Sequence, residues 1–142
     1  MLALLATACA GLFAGAAVYI NLVEHPARVE CGTALALRQF GPSYRRAPRM
    51  QASLAVAGSL TAVGAWLGGA GAVFLLAGTV LGAIVPFTLL VLYPVNGRLL
   101  DPTLVATSPE ADELLARWAS LHAVRSVAGT LAFVLELGAL TS

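Results

Sequence analysis

The pattern of apolar and charged positions predicts four membrane-spanning helices. Residues 50–97 contain no Asp, Glu, Lys, Arg or His, and a helix needs about 20 apolar residues to cross the hydrocarbon core of a bilayer. This stretch is long enough for two spans, with a turn predicted at residues 68–71 (Gly-Gly-Ala-Gly), where glycine supplies the backbone angles of a tight reversal. Residues 1–23 carry no charged side chain, and residues 119–142 carry only His122, Arg125 and Glu136. Each of these two segments predicts a further span.

The predicted fold class is all-α, an integral membrane bundle of four transmembrane helices. The chain has 142 residues, of which 59% are hydrophobic and 11% are charged, so no separate soluble domain is expected. The prediction is a single domain over residues 1–142, with spans near 1–23, 50–68, 71–94 and 118–140.

The distribution of basic residues predicts the topology. All eight are arginines, and seven lie in two segments between the spans; they are Arg28, Arg38, Arg45, Arg46, Arg49, Arg98 and Arg117. The positive-inside rule makes both segments cytoplasmic and puts both termini on the outer side of the plasma (inner) membrane. Topology and anionic lipid account for these arginines, so nucleic-acid binding is not expected and the lipid bilayer is the expected partner.

Small residues recur at helical spacing in the predicted spans. Gly11 and Gly15 are four positions apart, as are Gly78 and Gly82. Such spacing lets helix backbones approach closely in lipid. It predicts packing within one bundle or a homo-oligomer formed through these faces.

Prolines and polar caps predict where several helices end or bend. Residues 27–40 mix apolar and basic positions and predict a short helix at the membrane surface, which Gly41 and Pro42 would end. Pro86 removes a backbone hydrogen bond and predicts a kink in the third span. Ser108 is the expected N-cap of the last helix.

Polar residues collect at the predicted cytoplasmic ends of the spans. Trp118, His122 and Arg125 are spaced by four and three positions, so they share one helix face. Ionisable groups at this depth usually face the bundle interior or a wet cavity. The pattern predicts a polar pocket that opens toward the cytoplasm. Its candidate residues are Asn21, Glu24, His25, Gln51, Tyr93, Asn96, Trp118, His122 and Arg125.

A purely structural interpretation of the same residues remains open from the pattern alone. Arg125 would then pair with Glu24 and neutralise two half-buried charges, and His122 would be a hydrogen-bonded structural histidine. Glu136, near the outer end of the last helix, is expected to be interfacial.

Four segments in order resemble the anthrone oxygenase-like family of small four-helix membrane proteins, whose named members include fungal anthrone oxygenases. They are residues 21–28 (NLVEHPAR), 42–53 (PSYRRAPRMQAS), 94–99 (PVNGRL) and 117–126 (RWASLHAVRS). The resemblance implies that seven residues occupy recurrent polar positions of the family: Asn21, Glu24, Gln51, Asn96, Trp118, His122 and Arg125. It also implies a membrane-embedded oxygenase that acts on a lipophilic, anthrone-like aromatic.

Oxidation of such a substrate needs a base for a benzylic proton, a donor for the enolate oxygen and an apolar slot for the rings. The expected catalytic residues are His122 or Glu24 as base and Arg125 as donor. The residues expected to bind substrate are Asn21, Gln51, Tyr93, Asn96 and Trp118. A lipophilic substrate would enter sideways from the membrane.

No cofactor is expected for this chemistry, but alternatives remain open. Glu24, His25 and His122 supply the ligand set of many non-haem iron sites, so iron or another transition metal is one alternative. Haem bound through His25 or His122 is another. The rival function is a non-catalytic membrane protein that binds or transports a small lipophilic ligand.

Overall fold

The computed structural model describes residues 1–141, which form four long helices and contain no strand. The helices are α1 (Leu2–Glu30), α2 (Thr33–Leu67), α3 (Ala72–Leu99) and α4 (Pro109–Thr141). Each is long and apolar enough to cross a membrane. The predicted all-α class with four membrane-spanning helices is therefore confirmed, and the side on which the termini lie stays a prediction.

The four helices form a ring in which each packs against two neighbours. α1 packs against α2 and α4, and α3 packs against the same two helices. Phe13, Leu81 and Ala132 lie in the buried core of the half that contains the termini. A second core, around Phe40 and Trp118, fills the arginine-rich end.

The predicted glycine turn joins α2 to α3. Gly69 has a φ of 87° and Gly71 a φ of 100°, a region that side chains rarely adopt and that glycine occupies at little cost. The reversal therefore falls within residues 68–71, as predicted.

Close helix contacts confirm part of the predicted small-residue packing. A Cβ atom on Gly78 of α3 would lie 2.8 Å from the Cβ of Ala62 and 3.2 Å from the backbone oxygen of Ser59, both on α2. A Cβ on Gly15 would meet nothing within 4 Å. Some of the predicted glycines thus pack inside one chain, and association between chains stays a prediction.

α2 corrects the predicted end of the first surface helix. The helix does not stop at Gly41 and Pro42 but continues through Pro48 to Leu67. Phe40 is 1% exposed and stacks on Tyr44 at 5.9 Å between ring centroids. Packing of these two rings on either side of Pro42 offsets the stability lost with the backbone hydrogen bonds that the prolines remove. At 1.5 Å per residue, α2 is about 52 Å long. That length exceeds a hydrocarbon core of about 30 Å, so α2 extends beyond the membrane at its arginine-rich end.

α1 and α3 each contain one π-helical turn. The turns are Ile20–Glu24 and Thr88–Leu92, and each is followed two residues later by a proline, Pro26 or Pro94. Proline lacks an N–H and its ring crowds the carbonyl four positions earlier. That carbonyl lies inside the π turn in both helices, so the wider turn accommodates the proline. Pro86, where a kink was predicted, lies two residues before the second of these turns.

The π turn of α3 coincides with a change of packing partner. Residues 72–87 pack against both α2 and α4, whereas residues 88–99 follow α4 and diverge from α2. This divergence leaves a gap between α2 and α3 at the arginine-rich end of the bundle.

Of two predictions for α4, the N-cap is confirmed and the position of Glu136 is wrong. The hydroxyl of Ser108 accepts a hydrogen bond from the Ala111 N–H at 3.3 Å, so the predicted N-cap is confirmed. Glu136 is not interfacial but 0% exposed, and the Thr7 hydroxyl lies beside its carboxyl. The interior face of α4, followed from His122 through Gly129, reaches Glu136 at helical spacing, which turns this carboxyl into the bundle.

Candidate functional site

A cavity of about 220 Å³ lies between the helices at the arginine-rich end. Six of the predicted site residues line it: Gln51, Tyr93, Asn96, Trp118, His122 and Arg125. The rest of its wall is mainly apolar and includes Phe13, Phe40 and Ile84. The result is an apolar chamber with a small group of polar side chains on its wall, the usual composition of a site for a small molecule.

Trp118 is held rigidly in the wall of this cavity. Its indole N–H donates to Asn96 Oδ1 at 2.8 Å. The ring of His122 stacks on it at 4.7 Å, with an angle of 26° between the ring planes, and the ring of His25 lies 5.0 Å away. Phe40 meets it edge to face at 5.5 Å. The four rings form a fixed aromatic cluster across α1, α2 and α4.

The hydrogen bonds of Asn21 determine the tautomer of His122. Asn21 Nδ2 donates to the carbonyl of Ala119 at 3.1 Å, so Oδ1 is the amide atom that faces the side chains of His122 and Ser126. Oδ1 lies 2.6 Å from His122 Nδ1 and accepts a second bond from the Ser126 hydroxyl at 2.6 Å. An amide oxygen only accepts, so His122 Nδ1 carries the proton. In the neutral imidazole, the other ring nitrogen, Nε2, then carries the lone pair.

Arg125 is a cation without a carboxylate partner in the described part of the chain. Its guanidinium donates to Gln51 Oε1 at 2.5 Å and lies 5.6 Å from the centre of the Phe13 ring. Arg28 Nε is one buried donor of the cavity wall that has no hydrogen-bond partner within residues 1–141; two others are Arg125 Nε and Gln51 Nε2. Buried donors without acceptors are costly, and all three residues line the cavity.

The structure does not form the ion pair between Arg125 and Glu24 that the purely structural interpretation required. Glu24 instead forms an ion pair with Arg28, one helical turn away, and accepts hydrogen bonds from Gln39 at 3.0 Å and Ser43 at 3.4 Å. Spacing on α1 favours Arg28 because residues four apart on a helix are neighbours. The structure therefore puts Glu24 outside the cavity lining, on the side of α1 that faces α2.

The other predicted residues of α1 also lie behind the cavity wall. Asn21 contacts His122 and not the chamber itself, and His25 is buried against Trp118. Within residues 1–141, no group of three or more His, Cys, Asp or Glu side chains is arranged to hold a metal ion. The ligand set of Glu24, His25 and His122 is thus not brought together.

Several lining residues were missed because they are apolar or lie where a loop was predicted. Phe40 and Tyr44 belong to α2, and with Gln51 and Ala55 they follow helical spacing along one face. That periodicity is visible in the sequence once α2 is continued through its prolines. Phe13 carried no such signal, because a buried phenylalanine in a span resembles any other core residue.

The segment between α3 and α4 is tied down by charges outside the spans. Arg98 donates to Asp101 and to Glu110, both at 2.8 Å. The hydroxyl and backbone N–H of Thr103 also donate to Asp101, and these two bonds, with a smaller contribution from Arg98, lower the pKa of that carboxyl. Asp101 is therefore ionised at neutral pH and anchors the segment beside the start of α4.

Comparison with known proteins identifies the family. Residues 40–135 match the family model described as anthrone oxygenase, a range that includes all six predicted residues of the cavity wall. Anthrone oxygenase tpcL from Aspergillus fumigatus is 33% identical over 129 residues, which cover 83% of this chain and 80% of that protein. No solved structure matches the chain. With its four apolar helices, this multi-pass membrane protein belongs to the anthrone oxygenase family.

Proposed function

We propose that this protein is an oxygenase that converts a lipophilic, hydroxylated anthrone-like aromatic to the corresponding quinone inside the cavity. One observation carries the proposal. His122, whose Nδ1 donates to Asn21, lines the same mainly apolar chamber as Arg125 and Gln51, each of which has a buried donor atom without an acceptor in residues 1–141. A base and an oxyanion-binding group are what this reaction requires of a protein.

His122 Nε2 is the proposed base. The methylene of an anthrone is acidic because loss of its proton gives an aromatic enolate. His122 takes this proton, and the electron pair passes to the enolate oxygen and the ring carbon. Asn21 holds the tautomer in which Nε2 accepts, so the role of Asn21 is to position the base rather than to bind substrate.

Arg125 and Gln51 are the proposed groups for the enolate oxygen. The buried atoms Arg125 Nε and Gln51 Nε2 are both donors, and neither has an acceptor within residues 1–141. A ligand oxygen between them would satisfy both donors. Negative charge on that oxygen would also neutralise the guanidinium. The attraction between the two charges is stronger in an apolar chamber from which water is excluded.

The reaction with dioxygen balances without a further reductant. The enolate carbon gives electrons to dioxygen and forms a carbon–oxygen bond, and the proton on His122 passes to the outer oxygen, which yields a hydroperoxide. Loss of the second methylene proton with cleavage of the oxygen–oxygen bond releases water and leaves a carbonyl. One anthrone and one dioxygen thus give one quinone and one water.

The cavity suits a compact aromatic ligand. Its volume of about 220 Å³ is below the range of about 300–1,000 Å³ that holds drug-sized ligands. Trp118 and Phe40 present aromatic surface to the chamber, and Asn96 is within reach of ligand hydroxyl groups on the same wall.

The proposed location is the plasma membrane, with the cavity at the cytoplasmic side and no cofactor required.

Turnover of a dihydroxyanthrone by the protein in detergent tests the proposal. Dioxygen uptake and quinone absorbance are measured together, with protein-free micelles to correct for spontaneous oxidation. The expected loss in His122→Ala and Arg125→Ala is about 100-fold or more, the usual contribution of such groups, whereas the lipid-facing control Val127→Ala retains full activity. Equal rates in all three variants would contradict the proposal, and saturable binding of the quinone without turnover would favour the non-catalytic binding function.

A further inference from the structure

The cavity has one exposed edge. The lining residues that are exposed come only from α2 and α3: Ala52 on α2, and Leu89 and Tyr93 on α3. Leu89 and Tyr93 are each 60% exposed. Pro48, one helical turn before Ala52, is half-buried in the same edge. We call these four residues the portal.

The portal exists because α3 leaves α2 at its π turn. Residues 72–87 pack along α2, and residues 88–99 turn away from it while remaining on α4. Leu89 lies inside the π turn Thr88–Leu92. The wider turn that accommodates Pro94 thus also separates the two helices where the cavity lies between them.

The end of the bundle above the cavity is packed shut. Trp118 is 7% exposed, Phe40 1% and His25 5%, and their rings contact one another. Leu99 and Leu115 complete this core. A ligand that came straight from the water beyond this end would have to displace the aromatic cluster.

We propose that the cavity is filled laterally from the bilayer, through the portal between α2 and α3. The portal side chains are uncharged and lie within helices long enough to span the membrane. Exposed Arg49 directly follows Pro48 along α2 and belongs at the headgroup level, where cationic side chains meet anionic lipid. Along α2, Ala52 lies deeper than Arg49 and Pro48 lies beside it, so the portal reaches from the headgroup level into the hydrocarbon side, and its ligands are uncharged ring compounds already dissolved in the leaflet. The inference rests on the proposed function only for the identity of the natural ligand.

Labelling of a cysteine inside the cavity tests the route without any substrate. Thr88→Cys is made in a chain with Cys9→Ala and Cys31→Ser, and the protein is placed in lipid nanodiscs. An apolar aromatic maleimide that partitions into the bilayer is added, and the labelling rate is followed by mass spectrometry. In this parent we expect the apolar reagent to react faster than a charged, water-soluble thiol reagent.

Two neighbouring leucines provide a matched pair. Leu89 lines the cavity, whereas Leu90 is also exposed, at 77%, but does not line it. Leu89→Trp should slow labelling by about tenfold or more, because a narrowed path lowers the association rate, and Leu90→Trp should leave it unchanged. Ala52→Phe, which narrows the portal from α2, should repeat the effect if Leu89→Trp disturbs folding.

The outcomes separate this inference from the proposed function. Equal labelling in the Leu89→Trp and Leu90→Trp proteins overturns the portal, as does an unlabelled parent or faster reaction with the charged reagent. A slowed Leu89→Trp protein whose parent does not oxidise anthrones would leave the portal standing and remove the oxygenase. If the protein oxidises anthrones but Leu89→Trp and Leu90→Trp are labelled at the same rate, the oxygenase proposal stands and the portal is overturned.

Discussion

Asn21 Oδ1 lies 2.6 Å from His122 Nδ1, although the two residues are 101 positions apart in the chain. The bond joins α1 to α4 directly behind the cavity. Since Asn21 also donates to the carbonyl of Ala119, its amide cannot present a donor to the histidine. The lone pair on His122 Nε2 is therefore a consequence of the fold and not of the histidine alone.

Replacing Asn21 by leucine should release this constraint on His122. We expect turnover of a dihydroxyanthrone to fall by about tenfold to 100-fold, part of the contribution that a positioned base makes. Nitrogen NMR of labelled histidine should show loss of the pure Nδ1-protonated tautomer. Ser126→Ala, which leaves the bond between Asn21 and His122 in place, is the control and should keep that tautomer; an unchanged spectrum in Asn21→Leu would show that Asn21 does not set it.

Arg125 should discriminate between oxygenated and plain aromatic ligands. In Arg125→Gln, affinity for a dihydroxyanthraquinone should drop by about tenfold to 100-fold, the scale of one hydrogen bond to a charged group. Affinity for anthracene, which has no oxygen to accept a bond, should hardly change. Ligand fluorescence in nanodiscs measures both, and equal losses for the two compounds would mean that Arg125 supports the cavity but does not contact ligand oxygen.

Gly78 should tolerate no side chain. Gly78→Ala puts a methyl group 2.8 Å from the Cβ of Ala62 and 3.2 Å from backbone of α2, and neither neighbour is a flexible side-chain end. Overpacking of this kind costs about 1–3 kcal/mol, so the unfolding midpoint in a denaturing detergent titration should fall. Gly15→Ala, which meets nothing within 4 Å, should be neutral or slightly stabilising; similar midpoints for the two variants would argue against the close contact of α2 and α3.

Glu136 should be a site where replacement stabilises the bundle. Its carboxyl is fully buried, and the Thr7 hydroxyl beside it also donates to the carbonyl of Ala3. The carboxyl is therefore incompletely satisfied, a situation that costs about 1–3 kcal/mol. Glu136→Met keeps the side chain long and removes the polar group, so the same titration should show a higher midpoint. Glu30→Met, at an exposed position, should stay within about 0.5 kcal/mol of the parent. A lower midpoint for Glu136→Met would reveal a stabilising partner for this carboxyl.

The sequence predicted the number of helices well because the signal for a membrane span is the absence of charge over a long stretch. It predicted the helix ends less well, as α2 shows. Pro42 by itself predicts a helix end, but packing of Phe40 and Tyr44 on either side of it carries the helix onward. Tertiary packing decided this boundary, and no local pattern reports it.

The polar part of the cavity was predictable because polar residues are rare in the spans. Gln51 and His122 stand out against apolar neighbours, and the topology brings their helix ends together. The sequence could not say which of the polar residues meet: Arg125 pairs with Gln51, and Glu24 with Arg28. Those choices depend on how each helix is rotated about its axis, which the π turns alter.

The aromatic cluster also gives the molecule two very different tryptophans. Trp66 lies beside the glycine turn and is 38% exposed, whereas Trp118 is buried between two histidine rings at the other end of the bundle. Their emission therefore reports on separate regions, Trp66 on the lipid around one end and Trp118 on the wall of the cavity. A chain in which Trp66 is replaced by phenylalanine would carry a single tryptophan, at the chamber, and its emission could register the arrival of a ligand before any chemistry occurs.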